Sequence, residues 1–98
     1  MMTDSNTLFL QTAAAVMNEL DIRYMEADLD GKVQLKDDLD RAMMTFSEIR
    51  CRILESELTC TPADVAKMQQ LREEVNEAGE IQSVLSTMVR LTKFFARL

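Results

Sequence analysis

The stretch that decides the fold is residues 61–98, TPADVAKMQQLREEVNEAGEIQSVLSTMVRLTKFFARL. Thr61-Pro62-Ala63-Asp64 has the chemistry of a helix start. A threonine side chain accepts from a free N–H of the first turn, proline there loses a donor that had no partner, and aspartate suits the positive end of the helix dipole. No proline follows, so the reading is one long helix over about 62–97. Two apolar stripes run along it. Met68, Leu71, Val75, Ala78, Leu85 and Val89 form one; Ile81, Val84, Met88, Leu91, Phe95 and Leu98 form the other, stepping 3, 4, 3, 4, 3 as in a coiled coil. One stripe is enough to join a hairpin, so the second predicts contact with something else.

Working back, Thr59-Cys60-Thr61-Pro62 is a short break, and before it Leu35, Leu39, Ala42, Phe46, Ile49 and Ile53 step 4, 3, 4, 3, 4. That predicts a helix over about 32–58, antiparallel to the last one, with Ile49 opposite Leu71 and Phe46 opposite Val75. Met43 reads as core. Phe9, Ala13, Val16, Met17, Leu20 and Tyr24 recur at helical spacing and mark an N-terminal helix over about 7–28. The expected fold is therefore all-α, a single domain over 1–98 of three helices: a long antiparallel coiled-coil-like hairpin plus the N-terminal helix. Gly79 falls inside the last of these, where it either admits a neighbouring backbone or bends the helix.

Glu26 to Asp37 imitates a calcium loop, with Asp28, Asp30, Gly31 and Val33 in place. Position 1 is glutamate instead of aspartate, and position 12 is Asp37, one methylene short of the glutamate that closes the shell. The favoured alternative is a turn in which Gly31 ends the first helix and Asp28 or Asp30 caps the second. No metal and no cofactor is expected.

Composition narrows the function classes. The chain has 98 residues, 47% of them hydrophobic and 29% charged, with a net charge of −6, no histidine and two cysteines. A net negative protein does not neutralise phosphates, which speaks against nucleic acid. Without histidine there is no ordinary general base for Ser47, Ser56, Ser83 or Ser86, and adjacent carboxylates such as Glu73 and Glu74 point about 100° apart. The expectation is no enzyme. No apolar run is long enough to span a bilayer, the first ten residues lack a signal-peptide pattern, and Cys51 and Cys60 fit a reducing compartment; together these predict a cytoplasmic protein. Residues 1–40 carry nine acids and three bases, whereas 41–98 balance.

The overhanging stripe then carries the functional expectation. In a hairpin closed at Pro62, everything after Met88 extends beyond the start of the second helix, so Ile81, Val84, Met88, Leu91, Phe94, Phe95 and Leu98 are the expected partner-binding residues. The cover is the N-terminal helix, a second copy in a homodimer, or another protein.

Asp30-Gly31, Leu39, Ala42, Phe46, Ile53-Leu54, the turn at Pro62, then Val75, Glu77-Ala78, Ile81, Val84 and Leu91 resemble the small cytoplasmic E component of type III secretion needle complexes. The resemblance spans about 30–91. It implies a helical hairpin acting as a co-chaperone: with a second, tetratricopeptide-like chaperone it holds the needle subunit before export, burying that subunit's amphipathic helix. The alternatives are a self-associating bundle, filament or rod subunit, a regulatory inhibitor that binds a partner helix, and a calcium sensor.

Overall fold

The computed structural model describes residues 4–98 and shows four helices in place of the expected three: α1 (Ser5–Glu26), α2 (Leu29–Leu54), α3 (Pro62–Glu77) and α4 (Ile81–Arg97). Asp4 caps α1 by accepting the Thr7 N–H at 2.8 Å, and this local bond holds the Asp4 carboxyl below its usual range. Ala27 and Asp28 alone separate α1 from α2. Asp28 accepts the Gly31 N–H at 2.8 Å, so the calcium-like stretch is a helix start. Gly31 does not end α1; it sits in the first turn of α2, where an added Cβ would lie 3.0 Å from Ala27 Cβ and 3.1 Å from Ile81 Cδ1. Its bareness lets α4 approach.

α2 begins three residues earlier and stops four residues sooner than its spacing suggested. It ends where Ser56 takes a left-handed backbone (φ 62°) and Glu57 N–H closes on the Arg52 carbonyl at 2.8 Å. At the start of α3 the expected cap is present and reciprocal: Asp64 N–H donates to Thr61 Oγ1 at 3.2 Å and Thr61 N–H to Asp64 Oδ2 at 2.9 Å.

The expected long helix breaks at Ala78-Gly79-Glu80, with Ala78 and Glu80 both extended. A continuous helix over 62–97 would leave one of its two stripes without a partner. Broken, it covers both, because α3 lies on α1 and α4 lies on α2.

Cross-links fix the helix directions. Asn6 Oδ1 accepts the Cys60 N–H at 2.7 Å at one end of α1 and α3, and Arg23 reaches the carbonyls of Val75 and Asn76 at the other, so these helices run parallel. Gln34 with Gln82 at 3.2 Å and Phe46 with Phe95, centroids 6.1 Å apart, show the same for α2 and α4. The molecule is two antiparallel hairpins, α1–α2 and α3–α4, laid side by side with both turns at one end. It measures 44 × 22 × 20 Å. The expected antiparallel pairing of the second helix with the third is absent: α2 packs on α1 and α4 and scarcely meets α3.

One core runs through the bundle. Phe9, Val16, Leu20, Leu35, Met68, Leu71, Val75, Met88, Leu91 and Phe95 are its largest fully buried side chains. Each contributes about 1.5–3 kcal/mol relative to exposure. Met43 is half-buried against this core. Among the described residues no helix is long and apolar enough to cross a membrane.

Candidate partner-binding surfaces

The break at 78–80 relocates the seven residues expected to grip a partner. Val84, Met88, Leu91 and Phe95 are buried in the core, the last three to within 1%. Ile81, Phe94 and Leu98 are half-buried and packed against the same core. Ile81 meets the start of α2 beside Gly31, while Phe94 lies 6.0 Å from Phe9 and 6.3 Å from Phe95, ring centre to ring centre. Phe9 also meets Phe95 edge-on at 6.3 Å. The N-terminal helix and α2 therefore cover the stripe, the overhang beyond Met88 does not exist, and the seven residues form no exposed apolar face. They hold the bundle together.

Two other surfaces remain open. The first is a groove between α3 and α4. These consecutive helices touch only sparsely, because each is drawn to a different helix of the first hairpin. Toward the turn, a depression of about 430 Å³ is lined by Glu74 and Glu77 from α3, by Ala78 in the break, and by Gln82, Ser83, Ser86 and Thr87 from α4. Past Arg90 it continues as a second depression of about 220 Å³ between Lys67, Lys93, Phe94 and Arg97. Arg90 bridges the two helices, donating to Glu74 Oε2 at 2.8 Å and to Thr87 Oγ1 at 3.4 Å. The groove is acidic toward the turn, where the small residues Ala78, Ser83, Ser86 and Thr87 also border it, and basic at the far end. Small side chains let a guest backbone come close.

The second is the outer face of α2, with the adjoining last turns of α1. Leu29, Val33, Met44 and Leu54 are 64–77% exposed, and Met25 is 62% exposed. Cys51 is exposed on the same side of α2.

Among the described residues no three acids or cysteines gather as a metal would require. Cys60 is buried, and desolvation, with Asp64 close by, pushes its thiol up to about 11.

Neither surface came out of the sequence reading. With 62–97 taken as one helix, Ser83 and Ser86 were weighed only as serines without a base, and Val33 only as part of the calcium-like stretch that opens the second helix. The signal that could have found them is the change of stripe itself: the apolar phase shifts between Ala78 and Ile81, next to Gly79. A phase shift beside a glycine is the mark of two helices.

No protein-family model, no curated protein and no solved structure matches this chain.

Proposed function

We propose that the chain is a non-enzymatic helical binding protein that receives a segment of another protein in the groove between α3 and α4. The observation that carries this reading is the separation of those two helices. They are joined by three residues and still leave a trough along their length, spanned by the Arg90–Glu74 ion pair. An amphipathic helix laid in it would add a fifth member to the bundle, a helix-in-groove mode. The sequence has no histidine to act as a general base, which supports a binding role over catalysis.

The narrower form of the proposal is a co-chaperone of a type III secretion apparatus, with the groove shielding an amphipathic helix of a secreted subunit. It rests on the resemblance over 30–91 alone, and its contact residues move from the buried stripe to Lys67, Glu74, Ser83, Ser86, Arg90, Lys93 and Phe94. The test is to fill the groove. Ser83 and Ser86 are exposed, so S83W/S86W leaves the core intact. In co-expression with a needle-type subunit, the wild-type chain keeps that subunit soluble and the double variant does not, at equal helicity. A double variant that protects as well as wild type refutes the groove.

A further inference from the structure

Both walls of the α3–α4 groove carry coiled-coil spacing. On α4, Ser83, Ser86, Arg90, Lys93 and Arg97 step 3, 4, 3, 4, and all five are exposed; on α3, Lys67, Glu74 and Glu77 step 7 and 3. Side chains so spaced on two neighbouring helices are arranged to meet a third helix lying between them. At 1.5 Å per residue the walls run about 15 Å from Lys67 to Glu77 and about 21 Å from Ser83 to Arg97, which suits a guest helix of about 14 residues.

Charge along the groove gives that guest its chemistry. At the end away from the turn the groove deepens into a notch of about 220 Å³, room for one large side chain, where Lys67, Arg90, Lys93 and Arg97 stand around the half-buried ring of Phe94. In a chain of net charge −6, four of the eleven bases gather at this one place. Arg90 is paired with Glu74, but Lys67, Lys93 and Arg97 form no ion pair among the described residues. Glu74 and Glu77 set the opposite sign toward the turn. The cations favour carboxylates over phosphate here. α3 begins at this end with its capping box closed, Asp64 N–H given to Thr61, and α4 ends here with its carbonyls, so the notch lacks the free backbone donors that hold a phosphate.

We infer, on the reading that this groove is the guest site, that the notch at Phe94 is its anchoring end and takes a large apolar side chain flanked by carboxylates. The guest is a short helix of another protein, acidic where it meets Phe94 and basic where it meets Glu74 and Glu77. Laid the other way round, it would set its acids on Glu74 and Glu77 and leave three cations unmatched.

Fluorescence anisotropy on the full chain with synthetic 14-residue alanine-based peptides tests this. The first peptide has one leucine flanked by two glutamates on the same face near one end, and two lysines on that face at the other end. The second has glutamine for both glutamates, the third serine for the leucine, and the fourth lysine for both glutamates. The first is expected to bind more tightly than the second and third by about fivefold or more, and to lose that advantage in Lys67→Glu/Arg97→Glu. The fourth is expected to bind that variant more tightly than it binds wild type. Lys67 and Arg97 are exposed, and they are used because Lys93 also borders Asp38 on the other flank of α4. Circular dichroism checks that the variant folds.

No binding of the first peptide up to 1 mM would overturn the assignment. So would its displacement by inorganic phosphate beyond the effect of sodium chloride at equal ionic strength, which would make the notch an anion site. Self-association of the chain that is lost in Lys67→Glu/Arg97→Glu would give the notch to a second copy and overturn it too. Equal binding of all four peptides, abolished by S83W/S86W, would refute the notch and leave the groove standing. Binding of the first peptide that ignores S83W/S86W would refute the groove and the assignment with it.

Discussion

The guanidinium of Arg23, near the end of α1, donates to the carbonyl of Ala78, the residue that ends α3. It also reaches the carbonyls of Val75 and Asn76, each at 3.1 Å, while Glu19 accepts from its Nε at 3.0 Å. The last carbonyls of a helix have no partner within it, and a cation there meets the negative end of the dipole. One side chain from the first hairpin therefore terminates the first helix of the second, and so helps place the break that separates α3 from α4.

Replacing Arg23 by methionine keeps much of the aliphatic stem and removes these bonds. Hydrogen bonds to a charged group contribute about 1.5–3 kcal/mol, so the variant is expected to lose about 2 kcal/mol of stability. At about 4–8 °C per kcal/mol for a domain of this size, the melting midpoint falls by about 10 °C. Lysine recovers only part of the loss, because it lacks the planar fork that serves three carbonyls. Thermal melts followed by circular dichroism read both.

Phe95 distinguishes the closed core from an open binding stripe. At 1% exposure, packed on Phe9, Phe46 and Phe94, it has no water to offer a charge. An aspartate there combines lost apolar burial with a buried carboxylate, and large-to-small changes at such sites alone cost about 3–5 kcal/mol. Native domains have about 5–15 kcal/mol in total, so Phe95→Asp is expected to be mostly unfolded. A well-folded Phe95→Asp that merely lost a partner would restore the open-stripe reading.

The sequence made the helical class, the cap at Thr61 and the core-facing positions of α1 and α2 legible, because each depends on neighbours within one or two turns. Phe9, Val16 and Leu20 were placed by spacing alone, and so were Leu35, Leu39 and Ile49. The pairing of helices was not legible, since periodicity says which face is apolar and nothing about which face meets it. Ile49 opposite Leu71 was a good guess for a two-helix hairpin and fails in a bundle where α3 turns to α1. The decisive information lay in long-range bonds, Arg23 to the end of α3 and Asn6 to Cys60, whose partners stand more than fifty positions apart. The expected stripe moved with the pairing: once Gly79 lies in a turn, Val84, Met88, Leu91 and Phe95 become core.

Ser56 carries a backbone that glycine adopts more readily. Its φ of 62° follows the end of α2, where Ser56 N–H closes on the Ile53 carbonyl at 3.1 Å. For a residue with a Cβ this conformation costs about 1–2 kcal/mol, offset in part because glycine loses more freedom on folding. Ser56→Gly is expected to stabilise the chain by about 0.5–1 kcal/mol and raise the midpoint by a few degrees. A lower midpoint would show that the serine side chain contributes at that corner.

The two cysteines should part in reactivity and in their effect on stability at high pH. Cys51 is exposed on the back of α2, whereas Cys60 is buried and its N–H is held by Asn6. The thiolate is the reactive form, so alkylation at pH 8 is expected to label Cys51 at once and Cys60 only as the chain opens. Cys60 has a thiol raised from 9.0 to about 11 in the folded state. Between those values the unfolded chain releases its proton first and binds fewer protons than the folded one. Stability conferred by the buried neutral thiol is thus complete below about pH 9, falls as the pH rises toward 11, and levels off beyond it. Urea midpoints measured from pH 8 to 11 on wild type and on Cys60→Ala separate this contribution from the titration of the lysines. The wild-type midpoint should fall more steeply across that window, and equal slopes in the two proteins would mean that the thiol is not the group responsible.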